Sequence, residues 1–358
     1  MPPRDSSGLT NGLYVSQEQA IRERIYDKED IVAERRITEA GLKPVIDNKK
    51  NDDQKSTQYK VQLKWLNICV ILAWHIGSFH ALQLMFCGEV QWKTIAFAYL
   101  LYVLSGLGVT AGVHRLWSHR SYKAKWPLRL LLAVFNTTAY ENSIYEWARD
   151  HRVHHKFSET DADPHDARRG FFFSHVGWLM CKKHPEVIAK GKLLDYSDLM
   201  ADPIVRYQHQ YYIPLVAFFC FVLPTMLPHY LWDESFYNAF YVCAIFRYCF
   251  LLHATWLVNS AAHFWGRRPY DATMNPAENP TVSCFALGEG FHNYHHTFPW
   301  DYATSELGYK FNLSKIFIDA MAAIGWAYDR KVVSPDQIKQ RKYRTGDVSE
   351  KGAYGPHN

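Results

Sequence analysis

The chain sets four long apolar blocks between strongly polar stretches. The blocks cover about 65–86, 94–113, 211–231 and 236–258, each near the roughly 20 residues that a helix needs to cross a bilayer core. The first two are joined by CGEVQWK and the last two by little more than Trp232-Asp233-Glu234-Ser235, so the blocks form two helical hairpins. Pro214, Pro224 and Pro228 fall in the third block, where a membrane helix tolerates proline. A further apolar run, 128–135, is too short to span and is expected at the membrane interface or within a cap. Residues 1–60 and 331–358 are polar and read as tails flanking a membrane domain over 61–330. The first tail has no apolar h-region, so no cleaved signal peptide is expected.

The pattern predicts an all-α integral membrane protein with four transmembrane helices in two hairpins. Basic residues orient it. Lys49, Lys50, Lys55, Lys60 and Lys64 precede the first block, and Arg115, Arg120, Lys123, Lys125 and Arg129 follow the second. The hairpin links carry only Lys93. Both termini are therefore expected in the cytosol, under a multi-pass arrangement with a helical cytosolic cap built from 114–210 and 259–330. His75 and Arg247 lie inside apolar blocks and are read as an internal structural pair.

Composition narrows the function classes. The chain is 48% hydrophobic and 16% aromatic with a mean hydropathy of −0.26, which fits apolar blocks separated by polar ones. A net charge of +5, with no basic stripe interleaved with stacking aromatics, gives no footprint for nucleic acid. It suits a lipid bilayer surface or an anionic substrate. The seven cysteines lack any C-x-x-C spacing and several fall in apolar runs, so reduced thiols are expected.

The chemistry gathers at histidine. In His151-Arg152-Val153-His154-His155 the spacing brings three imidazoles to neighbouring positions on one helix face, and the same pattern recurs at His292, His295 and His296. With histidine at 18 of 358 positions, one H-x-x-H-H is expected by chance about 0.05 times, and the chain has two. His114 and His119 form a third cluster just after the second block, and His263 follows Asn259 by one turn at the end of the fourth. Nine imidazoles are too many for one ion and suffice for two adjacent metals, with the Asn259 amide acting through a water. Imidazole alone does not choose among iron, zinc, copper and nickel. The adjacent pairs His154-His155 and His295-His296 point about 100° apart on a helix, so each pair can serve both metals. Glu146, Asp150, Asp161, Asp163 and Glu289 are candidate acceptors for the rings' other N–H.

The order H-x-x-x-x-H, H-x-x-H-H, H-x-x-H-H beside two membrane hairpins resembles the membrane fatty-acid desaturases. The phrases GVTAGVHRLWSHRSY, EWARDHRVHHKFSETDADPH, WLVNSAAHFWG and GEGFHNYHHTFPWDY are similar to those of the acyl-CoA Δ9, or stearoyl-CoA, desaturases, and the likeness runs over about 59–329. The three histidine boxes alone also admit lipid hydroxylases. A non-catalytic four-span transporter or receptor with a structural metal is the rival from another class.

The resemblance implies two iron ions that use O2 to put a cis double bond, at Δ9, into a saturated long-chain acyl-CoA. It implies electrons from NADH through a separate cytochrome b5 and its reductase, in the endoplasmic reticulum membrane. By the same resemblance the nine histidines are the iron ligands and Asn259 holds a water on one iron. Asn67, Asn142, Arg149, Asp150, Lys182 and Lys183 would contact CoA, and Trp256 the acyl chain. Tyr102 and Gly106, four apart on one helix face before His114, would set the end of the acyl tunnel for chains of about 18 carbons.

Overall fold

The computed structural model describes residues 59–347, so the N-terminal tail read from the sequence lies almost wholly outside the described residues. Among the described residues four helices are long and apolar enough to cross a membrane: Trp65–Phe86, Trp92–Ser118, Tyr212–Trp232 and Phe236–Phe264. They coincide with the four apolar blocks. The second and fourth run further than hydropathy indicates, because each continues into the polar residues that carry histidine. The fold is all-α; its two short strands, Lys123–Ala124 and Ala327–Tyr328, pair antiparallel with Lys123 opposite Tyr328.

The four spans are not equivalent. Only 22% of the most apolar window of the first and third is buried, against 56% and 61% for the second and fourth. The second and fourth spans are thus the inner pair, and the other two face lipid. The two hairpin links are clamped by Glu234, which accepts from Gln91 N at 2.9 Å, Thr94 Oγ1 at 2.7 Å and Asn238 Nδ2 at 3.1 Å.

Spans two, three and four each widen into a π-helical segment, at Gly108–Ser118, Ala217–Val222 and Phe240–Phe246. Such insertions recur at functional positions. At Gly108 an added Cβ would stand 2.2 Å from the backbone nitrogen of Asn136, so glycine alone lets the second span press against the helix Trp126–Ala139. That helix contains the short apolar run at 128–135. Its Leu128 and Leu132 are wholly buried in the main core, under the second span.

Arg247 and His75 do not pair, contrary to the sequence reading. Arg247 is 1% exposed and donates to the carbonyls of Cys243 (3.1 Å), Thr138 (2.8 Å) and Cys220 (3.1 Å). Cys243 and Cys220 both lie in π-helical segments, where the wider turn displaces the regular ladder and frees carbonyl oxygen. His75 turns instead to His253.

A left-handed corner at Tyr140 (φ 53°) and Asn142 (φ 74°) leads into the helix Ile144–Phe157. Ser143 caps it in a reciprocal box with Glu146, which is where that carboxylate is used. Past Lys331 the chain does not remain a tail throughout: Pro335–Thr345 is a helix capped by Ser334 and Gln337. It docks through ion pairs of Arg341 with Asp271 and Lys342 with Glu306.

Candidate metal centre

Four separate pieces of chain deliver the nine histidines. His114 sits in the π-helical end of the second span and His119 caps that segment, its N–H bonded to the His114 carbonyl at 3.1 Å. His151, His154 and His155 share the helix Ile144–Phe157. His263 follows a break at Ser260 (φ −114°, ψ −81°) that redirects the fourth span. The last three ride on the short helix His292–Thr297. Six residues cannot hold themselves helical. The buried Asn293 amide fixes them, accepting from Tyr270 N (2.9 Å) and Asp271 N (3.1 Å) and donating to the carbonyls of Asp271 and Pro276 (both 2.9 Å).

The nine form two groups. His114, His119, His151, His155 and His295 present ligand atoms within 4.8 Å of one another, and so do His154, His263, His292 and His296. Each adjacent pair is split between the groups, as the helix geometry led one to expect: His155 and His295 go to one, His154 and His296 to the other.

Proton counting fits these as donor sets for cations. Nε2 of His295 lies 2.9 Å from Nε2 of both His114 and His155, and Nε2 of His292 lies 3.1 Å from Nε2 of both His263 and His296. A nitrogen with one proton cannot satisfy two such neighbours. Acidic partners place protons on the far side of the rings. His154 Nδ1 is 2.9 Å from Asp163 Oδ1, His114 Nδ1 is 3.0 Å from Glu289 Oε2, and His263 Nδ1 is 3.5 Å from Glu159 Oε1. That arrangement leaves Nε2 lone pairs converging, the pattern of histidine bound to metal. Burial, reinforced by neighbouring imidazoles, pushes His119, His151, His155, His292, His295 and His296 well below the ordinary range. These six rings are neutral and free to ligate. The residues present therefore fit a pair of metal ions.

Burial alone would raise Glu289, but the Arg115 guanidinium and His114 outweigh it and hold the carboxylate below its usual range. Arg115 is wholly buried, its Nε 3.0 Å from Glu289 Oε1.

A cavity of about 420 Å³ adjoins both groups, lined by His114, His151, His154 and His292. Asn67, Asn142, Asp150, Trp256, Asn259 and Gly106 also line it. Arg149 and Lys183 stand behind that wall and grip Asp150, at 2.9 and 2.6 Å. Burial opposes the ionisation of Asp150, yet the two cations hold it at about 2. Lys182 is not part of the lining; its backbone N–H bonds Gln62 O at 2.8 Å, joining the chain ahead of the first span to the cap. Tyr102 also lies outside the lining, its hydroxyl donating to the Phe285 carbonyl.

Of the five acids proposed to orient rings, Asp163 and Glu289 do so. Glu146 caps a helix, Asp150 pairs with cations, and Asp161 faces Arg168 across 3.3 Å. Glu159 was not legible, because its contact with His263 spans 104 positions. Two more buried groups near the centre carry no local sequence signal. His165 packs on His154 with ring centroids 4.3 Å apart, and Glu141 accepts from Thr255 Oγ1 at 2.8 Å beside the cavity.

The geometry agrees with what this chain is similar to. A fatty acid desaturase family model matches residues 91–317. An acyl-CoA Δ12-desaturase of Acheta domesticus is 53% identical over 320 residues, covering 89% of each chain. An acyl-CoA Δ9 desaturase of the same organism is 56% identical over 292 residues, 81% of each chain. A stearoyl-CoA desaturase of Sus scrofa is 54% identical over 299 residues, 84% of this chain and 83% of that one. With its histidines gathered on a four-span frame, this chain belongs to the fatty acid desaturase family.

Proposed function

We infer that the protein is an acyl-CoA desaturase that introduces a cis double bond, at Δ9, into saturated long-chain acyl-CoA. The observation that carries the reading is the convergence of both histidine groups on one cavity whose further wall is apolar. Relatives named acyl-CoA Δ9 desaturase and stearoyl-CoA desaturase support the substrate class; the Acheta domesticus relative named Δ12 makes the bond position a matter for product analysis.

In this reading the nine histidines would hold two iron ions, and Asn259 would act through a water. Two irons bound there would supply, with O2, the oxidising power needed to remove two hydrogens from an unactivated acyl chain. The protein's own part is positional. Asp163, Glu289 and Glu159 fix the ring orientations of His154, His114 and His263. Arg149, Lys182 and Lys183 suit the phosphates of CoA. Asn67, Asn142 and Asp150 line the polar end of the cavity, and Trp256 bounds the acyl chain. Gly106 stands at the far end, and Tyr102, one turn beyond and outside the lining, backs it.

Electrons come from NADH through a separate cytochrome b5 and its reductase. The enzyme resides in the endoplasmic reticulum membrane with both termini cytosolic; the basic residues flanking the first hairpin support that orientation. Residues 61–330 are the catalytic membrane domain. The test is turnover of 18-carbon acyl-CoA by microsomes containing the protein. Oxygen- and NADH-dependent loss of two hydrogens from the product supports the reading, and gain of an oxygen atom makes the enzyme a hydroxylase.

A further inference from the structure

A third cluster of ligand-type side chains lies apart from the nine histidines. His75 on the first span meets Cys249 and His253 on the fourth, their ligand atoms within 4.8 Å of one another and none of the three exposed. Cys249 and His253 are four apart on the helix Arg247–Asn259, so they share a face.

The protons around this cluster do not balance. His75 Nδ1 lies 2.7 Å from the Ile71 carbonyl, and its Nε2 lies 3.0 Å from His253 Nε2. His253 Nδ1 lies 3.0 Å from His175 Nε2, and His175 Nδ1 lies 2.9 Å from the Ser260 hydroxyl. That hydroxyl is 2.8 Å from the Trp256 carbonyl. The chain has five contacts and ends on a carbonyl at both sides, and its three imidazoles and one hydroxyl bring four protons.

With the three rings neutral, one contact lacks a proton. If each terminal carbonyl takes its donor, the N–H groups of His175 and His253 run toward Ser260 and that of His75 toward Ile71. Two bare Nε2 atoms then face each other across 3.0 Å, with the Cys249 thiol beside them. The separation falls in the 2.8–3.3 Å range found between Nε2 atoms in the nine-histidine centre. The buried Ser78 hydroxyl lies beside the Cys249 thiol and can donate to a thiolate.

We propose that His75, Cys249 and His253 form a mononuclear site for a soft closed-shell cation, copper(I) or zinc(II), bridging the first and fourth spans beside the acyl cavity. The cation fills the contact that no proton serves and displaces the thiol proton to solvent. Two imidazoles and a thiolate are the donors such ions select. Copper(I) with one thiolate leaves no net charge in the membrane interior, whereas zinc(II) leaves one positive charge and calls for a fourth donor. Occupancy ties His75, which lines the cavity, to a helix whose Trp256 ring is 5.2 Å from His253.

The site is tested on full-length protein in lipid nanodiscs, stripped with chelator and titrated with cobalt(II) as the probe for zinc, or anaerobically with copper(I). The nine-histidine centre contains no sulfur, so thiolate-to-cobalt charge-transfer absorption reports a cysteine site alone. The expected result is one equivalent of cobalt(II) or copper(I) whose binding is lost in Cys249→Ala and weakened at least tenfold in His253→Gln. The signal should survive in His154→Ala, which separates this site from the reading of the nine histidines. Retention of the histidine-only cobalt spectrum in Cys249→Ala shows that the variant is folded. Cobalt binding without copper(I) binding assigns the site to zinc, and the reverse to copper. If neither cation binds in a Cys249-dependent way, a proton fills the gap and the proposal is overturned.

Discussion

Glu289 sits 3.0 Å from Nδ1 of His114 and is gripped on its other oxygen by Arg115, the next residue of the same segment. One carboxylate thus orients a ring of the metal centre and neutralises a wholly buried guanidinium. Replacing Glu289 with Gln keeps the shape but releases both charges. Loss of a group that orients a ligand costs about 10–100-fold in metal affinity or activity. Glu289→Gln is expected to fall in that range in microsomal turnover; an unchanged rate would show that the ring is held by other means.

Removing a ligand ring should cost more than removing its orienting partner. His154→Ala, His263→Ala and His296→Ala each take a nitrogen from the same group of four. Each is expected to abolish desaturation while the protein still accumulates in the membrane. Wild-type turnover in any of them removes that residue from the centre.

Gly106 is the position where the depth of the cavity can be probed. A Cβ there would stand 2.7 Å from Leu287 Cδ1 and 3.5 Å from Leu251 Cδ1, the ends of flexible side chains. Overfilling a packed site costs roughly 1–3 kcal/mol, enough to reverse a modest preference for chain length. Gly106→Leu is expected to shift products toward shorter chains with turnover on them retained. Equal loss on 16- and 18-carbon substrates would point to disturbed helix packing instead.

Glu141 gives a pH dependence of stability. Burial raises its carboxyl to about 8, against smaller opposing hydrogen bonds from Thr255 and Trp147. An acid whose folded value is raised stabilises the fold fully below its unfolded value, about 4.3, and that contribution disappears as pH rises through about 8. Glu141→Gln keeps an acceptor for Thr255 and removes the titration. The wild type is expected to lose more thermal stability than the variant between pH 5 and pH 9, and parallel curves would contradict the assignment.

The sequence made the frame and the metal ligands legible because both depend on local spacing. Twenty-residue apolar runs declare spans, and H-x-x-H-H declares a helical face. What it hid are contacts between distant segments. His175 meets His253 across 78 positions, and Arg115 meets Asn312 across 197. No periodicity reports such pairs. The three π-helical segments were hidden too, since an inserted residue leaves the apolar pattern nearly intact. The helix Pro335–Thr345 is polar on most of its surface and buries only Ile338 in an apolar cluster beside its ion pairs, so its hydrophobic pattern carries little signal. His75 and Arg247 were noticed as polar residues in apolar blocks, but which partners they would take depended on the π-helical carbonyls and on His253.

The most direct test of the central claim is expression of the full chain in yeast lacking its own desaturase, with the double bonds of the cell lipids mapped by mass spectrometry. The expected result is growth without added unsaturated fatty acid and cis monoenes of 16 and 18 carbons carrying the bond at Δ9. Hydroxylated acyl chains, or saturated lipids alone from a protein that reaches the membrane with its metals bound, would contradict it.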